Sequence, residues 1–342
     1  MNAVASLLGV VVRTSQSRQM YLVKRWLRAS CYSSDAMTRI FPRVLASRAA
    51  RGQSRGGQFS DLKKARRRQD VEMCLLQLAL TSSKEYNIAL SAWGRAREPG
   101  YALGLLDEMQ LRRIEPDVIS FNAVISACGK AGKQWQCALT LLESMQARRI
   151  EPTVISFNAT ISACEKNEQW ERALALLDRM QAQGIEPDVI SFNAAISACE
   201  KGGRWDYALA LLNKMQARCI VPDVISFNAA ISACEKGGQW KRALALLKEM
   251  QAQGIEPTLI SFSAAISACE KGEQWRRAII LLEAMQAHGI EPDVISFSAA
   301  ISACEKGGQW ERALGLLEEM QARGIDPDVI SFNAAISACE KG

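Results

Sequence analysis

Histidine is almost absent from this chain: its 342 residues include a single one, His288. This scarcity excludes a His-rich metal site and a His-Glu-x-x-His metalloprotease, and a Ser-His-Asp triad would have to use His288. No uncharged apolar run approaches eighteen residues, so we expect no transmembrane helix and no membrane partner. No motif pairs a nucleophile with a base, gathers metal ligands or forms a phosphate-binding loop. We therefore expect no enzymatic activity and no cofactor.

Acidic residues are almost absent from the first part of the chain. Residues 1–68 carry fifteen Lys and Arg against two acids, whereas residues 69–342 carry 27 Lys and Arg against 34 acids. The two net charges are +13 and −7. A strongly basic leader thus precedes a mildly acidic body, and the two parts need separate interpretations.

The leader has the composition of an organelle transit peptide. Residues 1–57 hold nine arginines, many serines, one lysine and one acid. A disordered basic tail that binds nucleic acid nonspecifically is the alternative. Residues 3–12 form an apolar run that a bipartite plastid leader would use, but no basic residue precedes it. We therefore favour the mitochondrion over the chloroplast. Residues 58–82 are predicted to be a basic linker with an N-terminal helix or a degenerate repeat.

The body repeats with a fixed period. Val-Ile-Ser-Phe, or Leu-Ile-Ser-Phe once, begins at residues 118, 154, 189, 224, 259, 294 and 329, so the spacing is 36 and then 35. We attribute the longer interval to an extra residue near Lys133. With a weaker unit upstream, the sequence predicts seven repeats and a half repeat, at 83–117, 118–153, 154–188, 189–223, 224–258, 259–293, 294–328 and 329–342. Such a period is typical of a solenoid.

Each repeat has the pattern of two helices. In residues 189–223, Phe192, Ile196 and Cys199 share one face of a first helix. Asp188 or Ser191 can cap its start. A second helix carries a stripe of apolar residues from Trp205 to Met215, and a proline follows it. No segment alternates with period two, so we expect an all-α fold.

Two ladders of repeated side chains have a structural interpretation. One cysteine per repeat could suggest metal ligands or disulfides, but equivalent positions in stacked helices lie about 10 Å apart, which is beyond the reach of a disulfide. We therefore expect these cysteines to pack in the core, and likewise the tryptophans to pack between helices. The cysteines are residues 128, 164, 199, 234, 269, 304 and 339, and the tryptophans are residues 135, 170, 205, 240, 275 and 310.

The repeat resembles the pentatricopeptide repeat, in its plain 35-residue form. The resemblance rests on strings such as VISFNAAISACEKG at residues 189–202, followed by ALALLNKM at residues 208–215 and Pro-Asp at residues 222–223. It covers about 250 residues. It implies a right-handed superhelical solenoid of helix–turn–helix repeats. It also implies binding of single-stranded RNA, with one base per repeat.

In that family the fifth and last residues of each repeat select the base. The resemblance assigns this role to Asn87 with Asp117, Asn122 with Thr153, Asn158 with Asp188, Asn193 with Asp223, Asn228 with Thr258, Ser263 with Asp293, and Ser298 with Asp328. It implies the target U-Y-U-U-Y-G-G, where Y is a pyrimidine. Asn carries both a donor and an acceptor, which suits a base edge. Since these residues lie off the apolar face of the first helix, we expect them to be exposed.

Two further ladders complete the implied site. The second residue of each repeat would sandwich the bases, which assigns Ile119, Ile155, Ile190, Ile225, Ile260, Ile295 and Ile330. One cation near the end of each first helix is spaced to meet one phosphate, which assigns Arg95, Lys130, Lys166, Lys201, Lys236, Lys271 and Lys306. The structural alternatives are that the Asp residues only cap helices and that the lysines only complement helix dipoles. Glutamates beside most of the lysines also weaken their field.

We therefore predict a noncatalytic protein that binds single-stranded RNA, an organellar transcript, in RNA processing, stability or translation. The alternative is a helical scaffold for protein–protein interactions, since solenoids present extended concave surfaces. At the C-terminal end, the half repeat leaves Phe332, Ile336 and Cys339 partly covered. This predicts a truncated product, a fragment, or an end that docks onto a protein partner.

Overall fold

The structure, a computed structural model, describes residues 55–132 and 134–341. The predicted transit peptide falls outside the described residues, apart from its last three positions, which begin a helix. The extra residue predicted near Lys133 also falls outside them. Among the described residues, no helix is long and apolar enough to span a membrane.

The described residues form helices connected by turns, and they contain no strand. The helices are α1 Arg55–Lys64, α2 Arg68–Gln77, α3 Ser83–Arg95, α4 Pro99–Leu111, α5 Val118–Ala131, α6 Trp135–Ala147, α7 Val154–Glu165, α8 Trp170–Ala182, α9 Val189–Lys201, α10 Trp205–Ala217, α11 Val224–Lys236, α12 Trp240–Ala252, α13 Leu259–Lys271, α14 Trp275–Ala287, α15 Val294–Lys306, α16 Trp310–Ala322 and α17 Val329–Lys341. The predicted all-α class with repeated helix pairs is confirmed.

The chain divides into two compact units. The first unit comprises the chain up to Asn167 together with the short segment Ala182–Ile185. The second unit comprises Glu168–Gln181 and Glu186–Gly342. Within each unit, the first helices of consecutive repeats pack side by side, and each second helix packs against its own first helix and the next one. Stacking therefore buries apolar faces that a single repeat would leave open.

The core of each unit is built from the same positions of every repeat. Phe192, Ile196 and Cys199 of α9 are fully buried, and so is Met215 of α10. The predicted core position of the cysteine ladder is confirmed from Cys128 to Cys304, whereas Cys339 on α17 is exposed. Burial raises the pKa of the Cys199 thiol to about 12, so this side chain stays an uncharged, small apolar group.

A reciprocal cap starts most first helices. The Asp117 carboxylate accepts from the backbone N–H of Ser120 at 2.8 Å, and the backbone N–H of Asp117 donates to the Ser120 hydroxyl at 3.2 Å. Asp188, Asp223 and Asp293 make the same pair of bonds with the serine three residues later. The predicted capping by the last residue of the repeat is thus confirmed.

The tryptophans pack between the helices of neighbouring repeats, as predicted, but they lie at the edge of the core and not in its interior. Trp310 is 40% exposed, and Trp205 is half-buried. Trp205 covers Gly237, which follows the first helix of the next repeat, so closely that a Cβ atom on this glycine would lie 2.2 Å from Trp205 Cδ1. Trp170, Trp240 and Trp275 cover Gly202, Gly272 and Gly307 in the same way. Only glycine fits beneath the indole.

Candidate nucleic-acid interface

Side-chain hydrogen bonds join the fifth and last residues of four repeats. In the first unit, Nδ2 of Asn87 donates to both carboxylate oxygens of Asp117 at 3.1 Å. The second unit joins Asn193 to Asp223 at 3.0 Å, Asn228 to Thr258 at 3.3 Å, and Ser298 to Asp328 at 3.3 Å. Residues 30 positions apart therefore form one polar group, because the stacking of repeats places the end of one repeat beside its own first helix.

No such bond joins Asn122 to Thr153 or Ser263 to Asp293 in the described part of the chain. Asn122 is half-buried on α5, and its Oδ1 accepts no hydrogen bond from any described residue. The hydroxyl of Ser263, which is 9% exposed, likewise has no partner in the described chain. Thr153 and Asp293 precede α7 and α15. Asn158 is half-buried on α7, and Asp188 caps α9.

A third residue, which sequence reasoning missed, holds the pair in place. Ser120 donates from its hydroxyl to Oδ1 of Asn87 at 2.6 Å, and Ser226 does the same to Asn193 at 2.5 Å. Both serines are fully buried. Because Oδ1 accepts from serine and Nδ2 donates to the last residue, the orientation of the amide is fixed. In the sequence, this residue is marked by the serine of the Ile-Ser-Phe string, which recurs at the start of the first helices.

The fifth residues are less exposed than their pattern predicts, and the expectation that they lie exposed is wrong. Asn87 and Asn193 are 8% and 9% exposed, and Ser298 is 6% exposed. Hydrophobic periodicity describes one helix at a time. The aspartate that covers Asn193 ends its own repeat and the serine lies in the first helix of the next repeat, so the pattern of its own helix could not reveal them.

The carboxylates of these groups stay ionised at neutral pH. Burial raises the pKa of Asp117, but hydrogen bonds from Ser120, Asn87 and Ser83 outweigh it and hold the pKa below its ordinary value. The pKa of Asp223 is lowered for the same reasons, with Ser226 and Asn193 as donors. Each aspartate therefore offers a charged acceptor beside a fixed amide.

A row of exposed isoleucines accompanies the polar groups. Ile119, Ile155, Ile190, Ile225, Ile260, Ile295 and Ile330 are between 59% and 67% exposed. Each follows the last residue of the preceding repeat by two positions, on the first turn of its helix. Exposing such a side chain to water is unfavourable. The isoleucine recurs in every repeat from residue 118 onward, whereas the first repeat has Lys84 at this position, and the recurrence defines an exposed apolar row. The sandwiching of bases by these residues stays a prediction.

The cation ladder is ion-paired in the second unit. Lys236, Lys271 and Lys306 contact Glu200, Glu235 and Glu270 of the preceding repeat at 2.7, 2.5 and 2.5 Å. Lys341 pairs with Glu305 in the same manner. Their role as phosphate contacts stays a prediction, and each already has a carboxylate partner. Lys201, which begins this ladder in the second unit, is exposed at the end of α9.

The corresponding cations of the first unit bind backbone carbonyls or face solvent. The Arg95 guanidinium donates to the carbonyls of Leu62 and Ala65 at 2.8 and 3.2 Å. The Lys166 ammonium donates to the carbonyl of Gly129 at 3.0 Å. Lys130 is exposed. The two units therefore give different environments to the same position of the repeat.

These features define a class of helical-repeat protein with one polar group, one exposed apolar side chain and one cation per repeat. The pentatricopeptide repeat domain matches residues 84–131, 104–167, 210–271 and 280–341, and the PPR repeat family matches residues 152–201. The PPR repeat also matches residues 190–220 and 260–290. The chain belongs to the pentatricopeptide repeat family. No curated protein sequence matches it.

Two solved structures of one protein are similar to this chain. PPR10 in complex with an 18-nt psaJ RNA element is 18% identical with a TM-score of 0.70, and the match covers 95% of this chain and 45% of PPR10. A second crystal structure, of PPR10 from maize, is 21% identical with a TM-score of 0.60, and the match covers 96% of this chain and 45% of PPR10. This chain spans less than half the length of PPR10, and at such identity the likeness shows the shared fold.

Proposed function

We propose that this protein binds single-stranded RNA and contacts one base with each repeat, without catalysing a reaction. The observation that carries the proposal is the hydrogen-bonded group of fifth residue, last residue and serine, as in Asn193, Asp223 and Ser226. One amide proton of Asn193 is donated to Asp223, which leaves the second proton available. A base edge requires this kind of fixed donor and acceptor.

The chemistry of the group favours uracil and guanine. Both bases place a carbonyl oxygen next to a ring N–H, which complements an N–H donor beside a carboxylate. Serine at the fifth position, as in Ser263 and Ser298, is smaller than asparagine and leaves more room for a purine. This supports the assignment of U to Asn with Asp and of G to Ser with Asp, and hence the target U-Y-U-U-Y-G-G. The exposed isoleucines would then contact the base faces.

Selection of bound sequences from a random RNA pool at about 150 mM salt tests the proposal, since weak charge effects are screened there. We expect the full chain to enrich a seven-base motif that ends in G-G. Failure of the folded, helical protein to enrich any motif would contradict the proposal and favour the protein-scaffold alternative.

A single substitution tests the assigned residues. Ser263→Asn should change the sixth selected base from G to U, because it converts the pair with Asp293 to the type found at Asn193 and Asp223. Ser267→Asn is the matched control: it makes the same chemical change one turn further along α13, and the selected motif should stay the same. A motif that is unchanged in Ser263→Asn would show that the fifth residue does not select the base.

Two further elements of the proposal concern location and partners. The composition of residues 1–57 supports import into mitochondria, with the plastid as the alternative. Failure of isolated mitochondria to import the full chain would count against it.

The exposure of Phe332 and Ile336, at 42% and 58%, supports a protein partner that docks on α17. Strong protection of residues 329–341 from hydrogen exchange in the monomer would exclude such docking.

A further inference from the structure

A basic cavity lies in the first unit, at the ends of its first helices. It has a volume of about 640 Å³ and is lined by five cationic side chains, Arg66, Arg95, Arg97, Lys130 and Lys166. No carboxylate is among the described residues that line it. We call these five side chains the basic cradle. Arg66 lies in the loop between α1 and α2, and Arg97 follows α3, so two of the five cations lie outside the repeated ladder.

Two glycines of the first unit occupy positions where the second unit has glutamates, so no carboxylate of the described chain neutralises the lysines of the cradle there. In the second unit the residue before each ladder lysine is a glutamate, which pairs with the lysine of the next repeat, as Glu200 does with Lys236. In the first unit Gly94 precedes Arg95 and Gly129 precedes Lys130, whereas Glu165 precedes Lys166. Lys166 therefore meets the Gly129 carbonyl where the other unit has a carboxylate. The first unit thus lacks the neutralising partners that its lysines would otherwise have.

The charges in the cradle act on one another. Burial lowers the pKa of Arg95, and the positive charge of Arg66 lowers it further. The Arg95 side chain is held by the Leu62 and Ala65 carbonyls, which places its charge at the wall of the cavity. Arg66, Arg97 and Lys130 are exposed and form no ion pair within the described chain. Like charges held this close attract a multivalent anion.

We propose that the basic cradle binds backbone phosphates of the RNA strand and is the main electrostatic anchor of the protein, whereas the ion-paired lysines of the second unit contribute little. The proposal rests on the proposed RNA binding. Arginine and lysine at this density suit phosphate oxygens, which accept bidentate and single hydrogen bonds respectively. The five cations span three consecutive first-helix ends, and this spacing fits successive phosphates of one strand rather than a single free phosphate.

The test measures the salt dependence of binding of the full chain to the selected RNA. Each phosphate contact to a single strand contributes about 0.7 to the slope of log affinity against log salt. The double variant Arg66→Gln and Arg97→Gln should lower the slope by about 1.4 and weaken binding about tenfold at 0.15 M salt. Both side chains are exposed and make no structural bond, so the fold should persist. The leader is common to all variants, and its contribution cancels in the comparison.

A second variant transfers the ion pair of the second unit into the cradle. Gly129→Glu should pair with Lys166 and lower the slope by about 0.7, while Gly129→Gln is the uncharged control with an unchanged slope. A Cβ atom at Gly129 would lie 3.4 Å from the Ala159 carbonyl oxygen and 3.5 Å from Ala163 Cβ, so both side chains fit.

An unchanged slope in the double arginine variant, with the selected motif intact, would overturn only the proposal that the basic cradle binds phosphates. Absence of any RNA binding would overturn the proposed function as well.

Discussion

The two units of this protein use the same repeat but differ at the two positions that flank the lysine near the end of a first helix. In the second unit, glutamate before the lysine forms an ion pair with the next repeat, and glycine after the lysine lies beneath a tryptophan. In the first unit, Gly129 precedes Lys130 and Ala131 follows it. Around Lys130, these two differences replace an ion-paired, closely packed edge with a basic one.

We expect the largest effect from a substitution that disrupts the packing of tryptophan on glycine in the second unit. Gly237→Ala places a Cβ atom 2.2 Å from Trp205 Cδ1 and should destabilise the protein by about 1–3 kcal/mol, the usual cost of overpacking. Gly315→Ala is the matched control, since nothing lies within 4 Å of its Cβ position in the middle of α16. It should stabilise the helix by about 0.5–1 kcal/mol. Urea unfolding of both variants measures the difference, and equal effects would show that the indole moves aside easily.

We expect a smaller effect from a substitution that removes one of the ion pairs by which the second unit differs from the first. Glu235→Gln frees Lys271 and makes the second unit resemble the first, so the salt slope of RNA binding should rise by about 0.7 and affinity about fourfold at 0.15 M salt. The lost ion pair is largely exposed on the lysine side and should cost about 0.2–1 kcal/mol of stability. Filter binding across a salt series measures the slope. A slope equal to that of the unmodified chain would mean that Lys271 does not meet phosphate even when it is free.

The smallest effect concerns a feature that the two units share. The pKa of Asp117 in the first unit and of Asp223 in the second is lowered by hydrogen bonds. A carboxylate with a lowered pKa in the folded state stabilises the fold at neutral pH, and this contribution is lost as the pH falls through that pKa. Asp117→Asn and Asp223→Asn should therefore each reduce the loss of stability below about pH 4. At pH 7 both should cost little, because Asn is also a good N-cap. Urea unfolding between pH 7 and pH 3 should give similar changes for the two variants; a change confined to one unit would contradict the shared role.

The sequence predicts the repeat, its two helices and their caps because these depend on contacts that recur within one period. Phe192, Ile196 and Cys199 mark a face, and Asp188 marks a start, whatever the neighbouring repeats do. The polar pairs were assigned by the resemblance to the pentatricopeptide repeat, and hydrogen bonds join four of them in the structure.

The sequence does not predict what covers each side chain. Asn193 is covered by Asp223 from the end of its repeat and by Ser226 from the next repeat, and the indole of Trp205 lies directly over Gly237. The basic cradle depends on Arg66, which lies outside the periodic part of the chain, and no pattern places the loop after α1 beside Arg95. The missing information is in each case a contact between segments that lie about 30 residues apart in the chain.

The aspartate that ends most repeats caps the next helix, and in Asp117 and Asp223 it also accepts a hydrogen bond from the amide of the fifth residue. The two positions of the pair are therefore not equally free to vary. Under the proposed function, replacing the fifth residue would change recognition while the cap survives, but the last residue is restricted to side chains that also start a helix, chiefly Asp, Asn, Ser and Thr. New specificities in a protein of this design would be reached at little cost through the fifth position, and the set of last residues would stay small whatever RNA is bound.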